Sequence, residues 1–120
     1  MAIMLKQSTE VIIPVGPFMD ASDAVTPETG VDLGDADQAE LLGPAGAATV
    51  DLSSNTWEAI TGSDGWYHLT LTAAQLATCG QYRLVVQDAD VCLGVHVPIL
   101  VVEGPVYDFF FTERPFQSYL

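Results

Sequence analysis

Over residues 67–71, 82–86 and 91–97, apolar side chains recur at every second position, a period that suits half-buried β-strands and not the 3.6-residue period of an amphipathic helix. After the turn Ser63-Asp64-Gly65, a strand over 66–71 puts Tyr67, Leu69 and Leu71 on one face. Thr72 is placed to cap a single helical turn through Ala73, Ala74, Gln75 and Leu76, and Gly80 lets the chain turn back. Tyr82, Leu84 and Val86 then share a face of the next strand. Asp88-Ala89-Asp90 reads as a short hairpin connection, after which Val91, Leu93, Val95 and Val97 alternate against Cys92, Gly94 and His96. Ile99 to Val102 continue the sheet beyond Pro98.

The first half is less regular. Val11-Ile12-Ile13-Pro14-Val15 is a β-branched run whose proline marks it as an edge strand or one that breaks early. Residues 33–42 carry helix formers (Ala36, Ala39, Glu40), but Gly30, Gly34, Gly43 and Pro44 leave room only for a short segment, read as a strand. Residues 47–52 read as another, followed by the loop Ser53-Ser54-Asn55 before Trp57 and Ile60 return to the core. Seven or eight short strands with no long amphipathic helix are the pattern of an all-β, antiparallel sandwich. The division expected is an extended N-terminal arm over 1–9, the sandwich over 10–104 and an extended, aromatic C-terminal arm over 105–120.

A chain of 120 residues, 49% of them hydrophobic, suffices for one core. Its 16 acidic residues against Lys6, Arg83 and Arg114 give a formal charge of −13, which repels phosphate backbones and anionic headgroups, so neither nucleic acid nor membrane is expected as a partner. Asp20, Asp23, Glu28, Asp32, Asp35, Asp37 and Glu40 fall in one stretch with Pro27, Gly30 and Gly34 and read as a solvated loop region with one strand, the alternative being a surface that docks on a basic partner or takes up divalent cations. Their spacing departs from a D-x-D-x-D-G calcium loop, and Asp88 with Asp90 makes only an isolated D-x-D, so no metal site is expected. No apolar run of about 18 residues is present, and the start MAIMLKQSTE lacks signal-peptide features, so synthesis in the cytoplasm is expected.

Catalysis finds no support in the motifs. His68 and His96 sit inside expected strands without Cys-x-x-Cys or His-x-x-x-His spacing, no Gly-x-Ser-x-Gly elbow exists, and no glycine-rich phosphate loop precedes a helix. The expectation is a non-enzyme without cofactor. Cys79 and Cys92 invite an immunoglobulin-type disulfide, but pairing about Ala89 sets Cys92 opposite Val86, seven residues and roughly 20 Å from Cys79, so both are expected reduced. Trp57, Trp66, Tyr67 and Tyr82 are candidates for a glycan-binding platform, although aromatics in alternating strands more often fill a core.

Gly104-Pro105 sets off the last stretch, in which Tyr107, Phe109, Phe110 and Phe111 crowd into six residues and Phe116, Tyr119 and Leu120 follow. Such an apolar tail is costly to leave in water, so it covers the chain's own sandwich or is buried by a neighbouring subunit. Burial by a neighbour is the expectation, which makes these seven residues the candidate partner-binding set.

Val15-Gly16-Pro17-Phe18-Met19-Asp20, Thr26-Pro27-Glu28-Thr29-Gly30, Asp64-Gly65-Trp66-Tyr67, Leu69-Thr70-Leu71-Thr72, Val85-Val86-Gln87-Asp88 and Val106-Tyr107-Asp108 occur in an order that resembles a family of small structural proteins of tailed bacteriophages and prophages. That family carries G-P-F-x-D, T-x-E-T-G, G-x-Y-x-L-x-L and N-V-Y-D in sequence. The resemblance implies an Ig-like domain serving as a capsid decoration protein or as a tail, baseplate or fibre adaptor, located in the virion and made in the bacterial host cytoplasm. It implies other virion proteins as partners, namely the major capsid protein or tail proteins, and a homo-oligomer within the assembly; a host-surface glycan is the remaining candidate ligand. Two departures stand out: Pro105 replaces the usual asparagine, and Phe109-Phe110-Phe111 replaces an S-L-V-A-G continuation, so a long fibre domain is not expected and decoration of the capsid is favoured.

Overall fold

The computed structural model describes residues 2–34, 38–88 and 91–111. Eight strands form in them: β1 (Ile3–Lys6), β2 (Val11–Val15), β3 (Ala39–Leu42), β4 (Val50–Asp51), β5 (Trp57–Ala59), β6 (Tyr67–Leu71), β7 (Gly80–Asp88) and β8 (Cys92–Val102), followed by a helix α1 (Gly104–Phe111). A single 3-10 turn, Ala74–Leu76, joins β6 to β7, and its Gln75 N–H donates to the Thr72 hydroxyl as the capping expectation requires. Two sheets result, in the orders β1-β8-β7-β3-β4 and β2-β6-β5. All pairings are antiparallel except β1 with β8. The chain is therefore an all-β sandwich, and its strand order is the Greek-key order of immunoglobulin-type domains. A further hallmark is present at the start of β7, where the Tyr82 hydroxyl donates to the Thr78 carbonyl at 2.6 Å, the geometry of a tyrosine corner.

Alternation decides which residues enter the core. Tyr67, Leu69 and Leu71 of β6 and Tyr82, Leu84 and Val86 of β7 are all buried, facing Leu41, Leu52, Leu76 and Ile99 between the sheets. Each fully buried leucine contributes about 2 kcal/mol of transfer free energy. Pro14 lies in β2, which has β6 on one side only, so its missing N–H costs no ladder bond.

Several elements differ from the sequence reading. The expected face of Val91, Leu93, Val95 and Val97 is broken by a bulge: Val86 pairs with Val95, yet Asp88 pairs with Cys92, so β8 spends one residue more than β7 over this stretch. The parity flips there, burying Cys92 at 2% exposure and turning Leu93 outward at 46%. Cys92 thus lies opposite Asp88 and not Val86; both cysteines are free. The strand expected over 33–42 is confined to β3, and residues 35–37 lie outside the described residues. The one expected over 47–52 shrinks to the two residues of β4. Part of the segment set apart as an N-terminal arm forms β1, because the alternation Ile3-Met4-Leu5-Lys6 lets Leu5 bury beside β8. The described part of the C-terminal segment winds into α1. Pro105 in the first turn, where no helical N–H donor is needed, starts it, and Tyr107 stacks on Phe111 one turn later.

The registers give the sandwich two distinct ends. β1 and β8 run side by side to a base, where Lys6 pairs with Val102 and α1 departs. At the opposite end, the tip, the β2–β3, β5–β6 and β7–β8 connections meet.

Candidate functional site

At the base, the Tyr107 N–H donates to the Glu103 carbonyl at 3.0 Å, opening α1. Tyr107 and Phe111 stack with ring centroids 4.5 Å apart, and Phe109 meets Phe110 edge-on at 5.3 Å. No residue of this helix is buried, and Phe110 and Phe111 are 61% and 55% exposed. The helix is tied to β1 by the Lys6 ammonium, which donates to both Asp108 carboxylate oxygens at 3.1 and 3.4 Å. Sequence reading did not find this pair. The available signal was scarcity: with three cations in the chain, any carboxylate beside one is a notable contact. Of the seven expected partner-binding residues, Tyr107, Phe109, Phe110 and Phe111 come together on α1; Phe116, Tyr119 and Leu120 lie outside the described residues.

The tip is built from the β2–β3 connection laid across the other two. Asp20 bridges Cys92, the Ala21 N–H donates to the Val91 carbonyl at 3.1 Å, and the Leu93 N–H donates to the Met19 carbonyl at 2.9 Å. On the other side the Phe18 N–H donates to the Gly65 carbonyl at 2.8 Å. Beneath the loop sits an aromatic trio: Trp57 stacks on Tyr67 at 4.7 Å and 6°, and Phe18 meets both edge-on. The polar ends of the trio pin the loop, since Tyr67 Oη donates to the Glu28 carbonyl at 2.8 Å and accepts from the Val31 N–H at 3.1 Å, while Trp57 Nε1 donates to the Val31 carbonyl at 2.9 Å. These bonds explain why Val31 and Leu33 are buried without belonging to a strand. Burial pushes the Tyr67 hydroxyl pKa above its ordinary value and does the same to the Cys92 thiol. Asp23, at the loop apex, is held below the usual carboxylate range first by the Thr26 hydroxyl it accepts and then by the Thr26 and Val25 N–H groups.

Of the aromatics weighed as a glycan platform, Trp57 and Tyr67 are the stacked pair of the aromatic trio. Tyr67 and Tyr82 are 2% and 8% exposed, Trp57 lies half-buried on Tyr67, and Trp66 is half-buried against Gly16, where a Cβ would come within 2.7 Å of its ring. His68 and His96 are exposed strand residues, and among the described residues no group of His, Cys, Asp and Glu is arranged to hold a metal. Among the described residues, no helix is long and apolar enough to cross a membrane.

Carboxylates are densest at the tip. Asp20, Asp23, Glu28, Asp32, Asp64 and Asp88 belong to the tip connections or their margins, whereas the base carries Glu10, Glu103 and Asp108 beside Lys6, and Arg83 lies in the half of β7 nearer to it. Arg114, Asp35, Asp37 and Asp90 are outside the described residues. Neither a protein-family model nor a curated protein sequence matches the chain.

Proposed function

We propose that this chain is a structural protein of a tailed-phage virion, bound at the capsid surface as a decoration protein, with α1 seated on the shell and the acidic tip directed outward. The observation that carries the reading is the aromatic helix: Phe110 and Phe111 stay more than half exposed on an element with no buried residue of its own. Exposed phenylalanines at one end of a domain with charge −13 suit an element completed by burial in a neighbour. An acidic distal end keeps particles apart in solution. The order of the sequence motifs supports the phage assignment, and the immunoglobulin-type strand order accords with it. A tail or baseplate position would use the same anchor; copy number per particle separates the two.

The test is incorporation into particles made by the host that encodes the chain. Full-length chain co-purifies with particles, whereas deletion of 109–120 or the paired change Phe110→Asp with Phe111→Asp, at exposed positions that leave the sandwich folded, abolishes incorporation. Unchanged incorporation of both variants removes the anchor, and absence of the full-length chain from particles removes the virion assignment.

A further inference from the structure

Helix α1 does not present its exposed side chains alike. Successive residues turn about 100° around a helix axis, and one contact fixes where that turn is measured from: Asp108 accepts from the Lys6 ammonium at 3.1 and 3.4 Å, so it faces β1. Gly104, one turn earlier, faces the same way, since a Cβ placed on it would lie 3.4 Å from the Lys6 stem. Val106 and Phe110 stand on the opposite side, about 160° from Asp108 in either sense. They are 43% and 61% exposed. Phe109 flanks them and meets Phe110 edge-on. Phe111 is exposed as well, but it stands about 60° from Asp108, on the half of the helix toward the domain, and Tyr107 stacks on its ring. Exposure groups the phenylalanines, whereas helix geometry separates them.

Resting on the anchor reading above, we infer that α1 binds the shell protein as a helix in a groove, with Val106 and Phe110 as the side chains that enter it and Tyr107 and Phe111 as a brace that stays outside. An i, i+4 pair on an outward helix face is how amphipathic helices engage apolar grooves, and eight residues span a groove about 12 Å long. Charge decides the rim of that groove. The Glu103 carboxylate is exposed at the start of α1 and makes no hydrogen bond or ion pair among the described residues. Glu10 is exposed at the same end of the domain, and the neighbouring cation, Lys6, is already engaged by Asp108. A lysine or arginine where the groove receives the helix N-terminus complements this base, and an acidic rim repels it. Val106 lies outside the partner-binding set picked from the sequence, because a valine beside a run of aromatics carries no signal until the phase of the helix is known.

The test compares single changes in the full chain, supplied at a limiting level to particles made by the encoding host, with copies per particle counted by quantitative mass spectrometry. Phe110→Lys and Phe111→Lys place the same cation on adjacent residues of the last turn, where it suits the helix dipole, so the two differ in the face they occupy. Phe110→Lys is expected to cut copy number at least about tenfold and Phe111→Lys less than about threefold. Val106→Asp, whose carboxylate suits the first turn, matches Phe110→Lys, whereas Val106→Leu retains incorporation. Glu103→Lys lowers it about threefold or more. Thermal melts of each variant, expected unchanged, show that the sandwich is intact. Equal losses from Phe110→Lys and Phe111→Lys, or full incorporation of Val106→Asp, overturn the inference while deletion of 109–120 still abolishes incorporation. Glu103→Lys without effect overturns the basic rim. Unchanged incorporation on the deletion removes the anchor reading itself.

Discussion

Replacing Tyr67 with phenylalanine removes one oxygen from the molecule and leaves two backbone groups of the tip loop without their partner. The ring stays, with its stack on Trp57 and its edge contact to Phe18, so the loss is confined to the hydrogen bonds at 2.8 Å to the Glu28 carbonyl and 3.1 Å from the Val31 N–H. Val31 is 5% exposed, so its N–H is stranded away from water, a situation that costs about 1–3 kcal/mol. Glu28 is only half-buried, and its carbonyl recovers a water at little cost. The sum is a destabilisation of about 2 kcal/mol, equivalent to a fall in Tm of roughly 8 °C for a domain of this size. Urea unfolding followed by tryptophan fluorescence is expected to show a lowered midpoint with an unchanged slope, and the Val31 amide to exchange far faster. A loss below about 0.5 kcal/mol, or a Val31 amide as protected as before, refutes the claim that this hydroxyl pins the loop.

Alkaline stability follows from the raised pKa values of Tyr67 and Cys92. In each case the folded state holds its proton to higher pH than the unfolded state does, so stability is fully present below the unfolded values and falls as pH rises from about 9 through the folded ones. Thermal melts across that range check this, and Tyr67→Phe with Cys92→Ala flattens the decline. Gly65→Ala, at φ +84° with the Phe18 carbonyl oxygen 2.9 Å from the added Cβ, is expected to cost about 2 kcal/mol or more in chemical denaturation. Lys6→Gln removes an ion pair whose side chains are 36% and 49% exposed, so global stability changes by less than about 1 kcal/mol while amide exchange in α1 accelerates.

What was legible in the chain was the part governed by simple periodicity. β6 and β7 alternate without interruption, and the inward faces Tyr67-Leu69-Leu71 and Tyr82-Leu84-Val86 follow from that alone. Pro14 placed β2 at an edge by its missing donor. The bulge in β8 was hidden because Cys92, Leu93 and Val95 are all apolar, so the sequence pattern does not show where parity changes. The β2–β3 connection escaped for another reason: its burial comes from Tyr67 and Trp57, more than 25 positions away, and a long-range side-chain bond to a backbone amide leaves no periodic trace. At the base, the aromatic crowding of the last stretch drew notice, but its helical form depends on Pro105 and the Tyr107–Phe111 pair, which an expectation of an extended arm passes over.

The proposed seating of the molecule on a virion through α1 is measured directly by cryo-electron microscopy of purified particles. The account predicts density for the sandwich on the particle surface with α1 and its phenylalanines buried against a shell protein and the β2–β3 loop outermost. Particles without this density, or a sandwich seated through its acidic tip with α1 exposed, would contradict it.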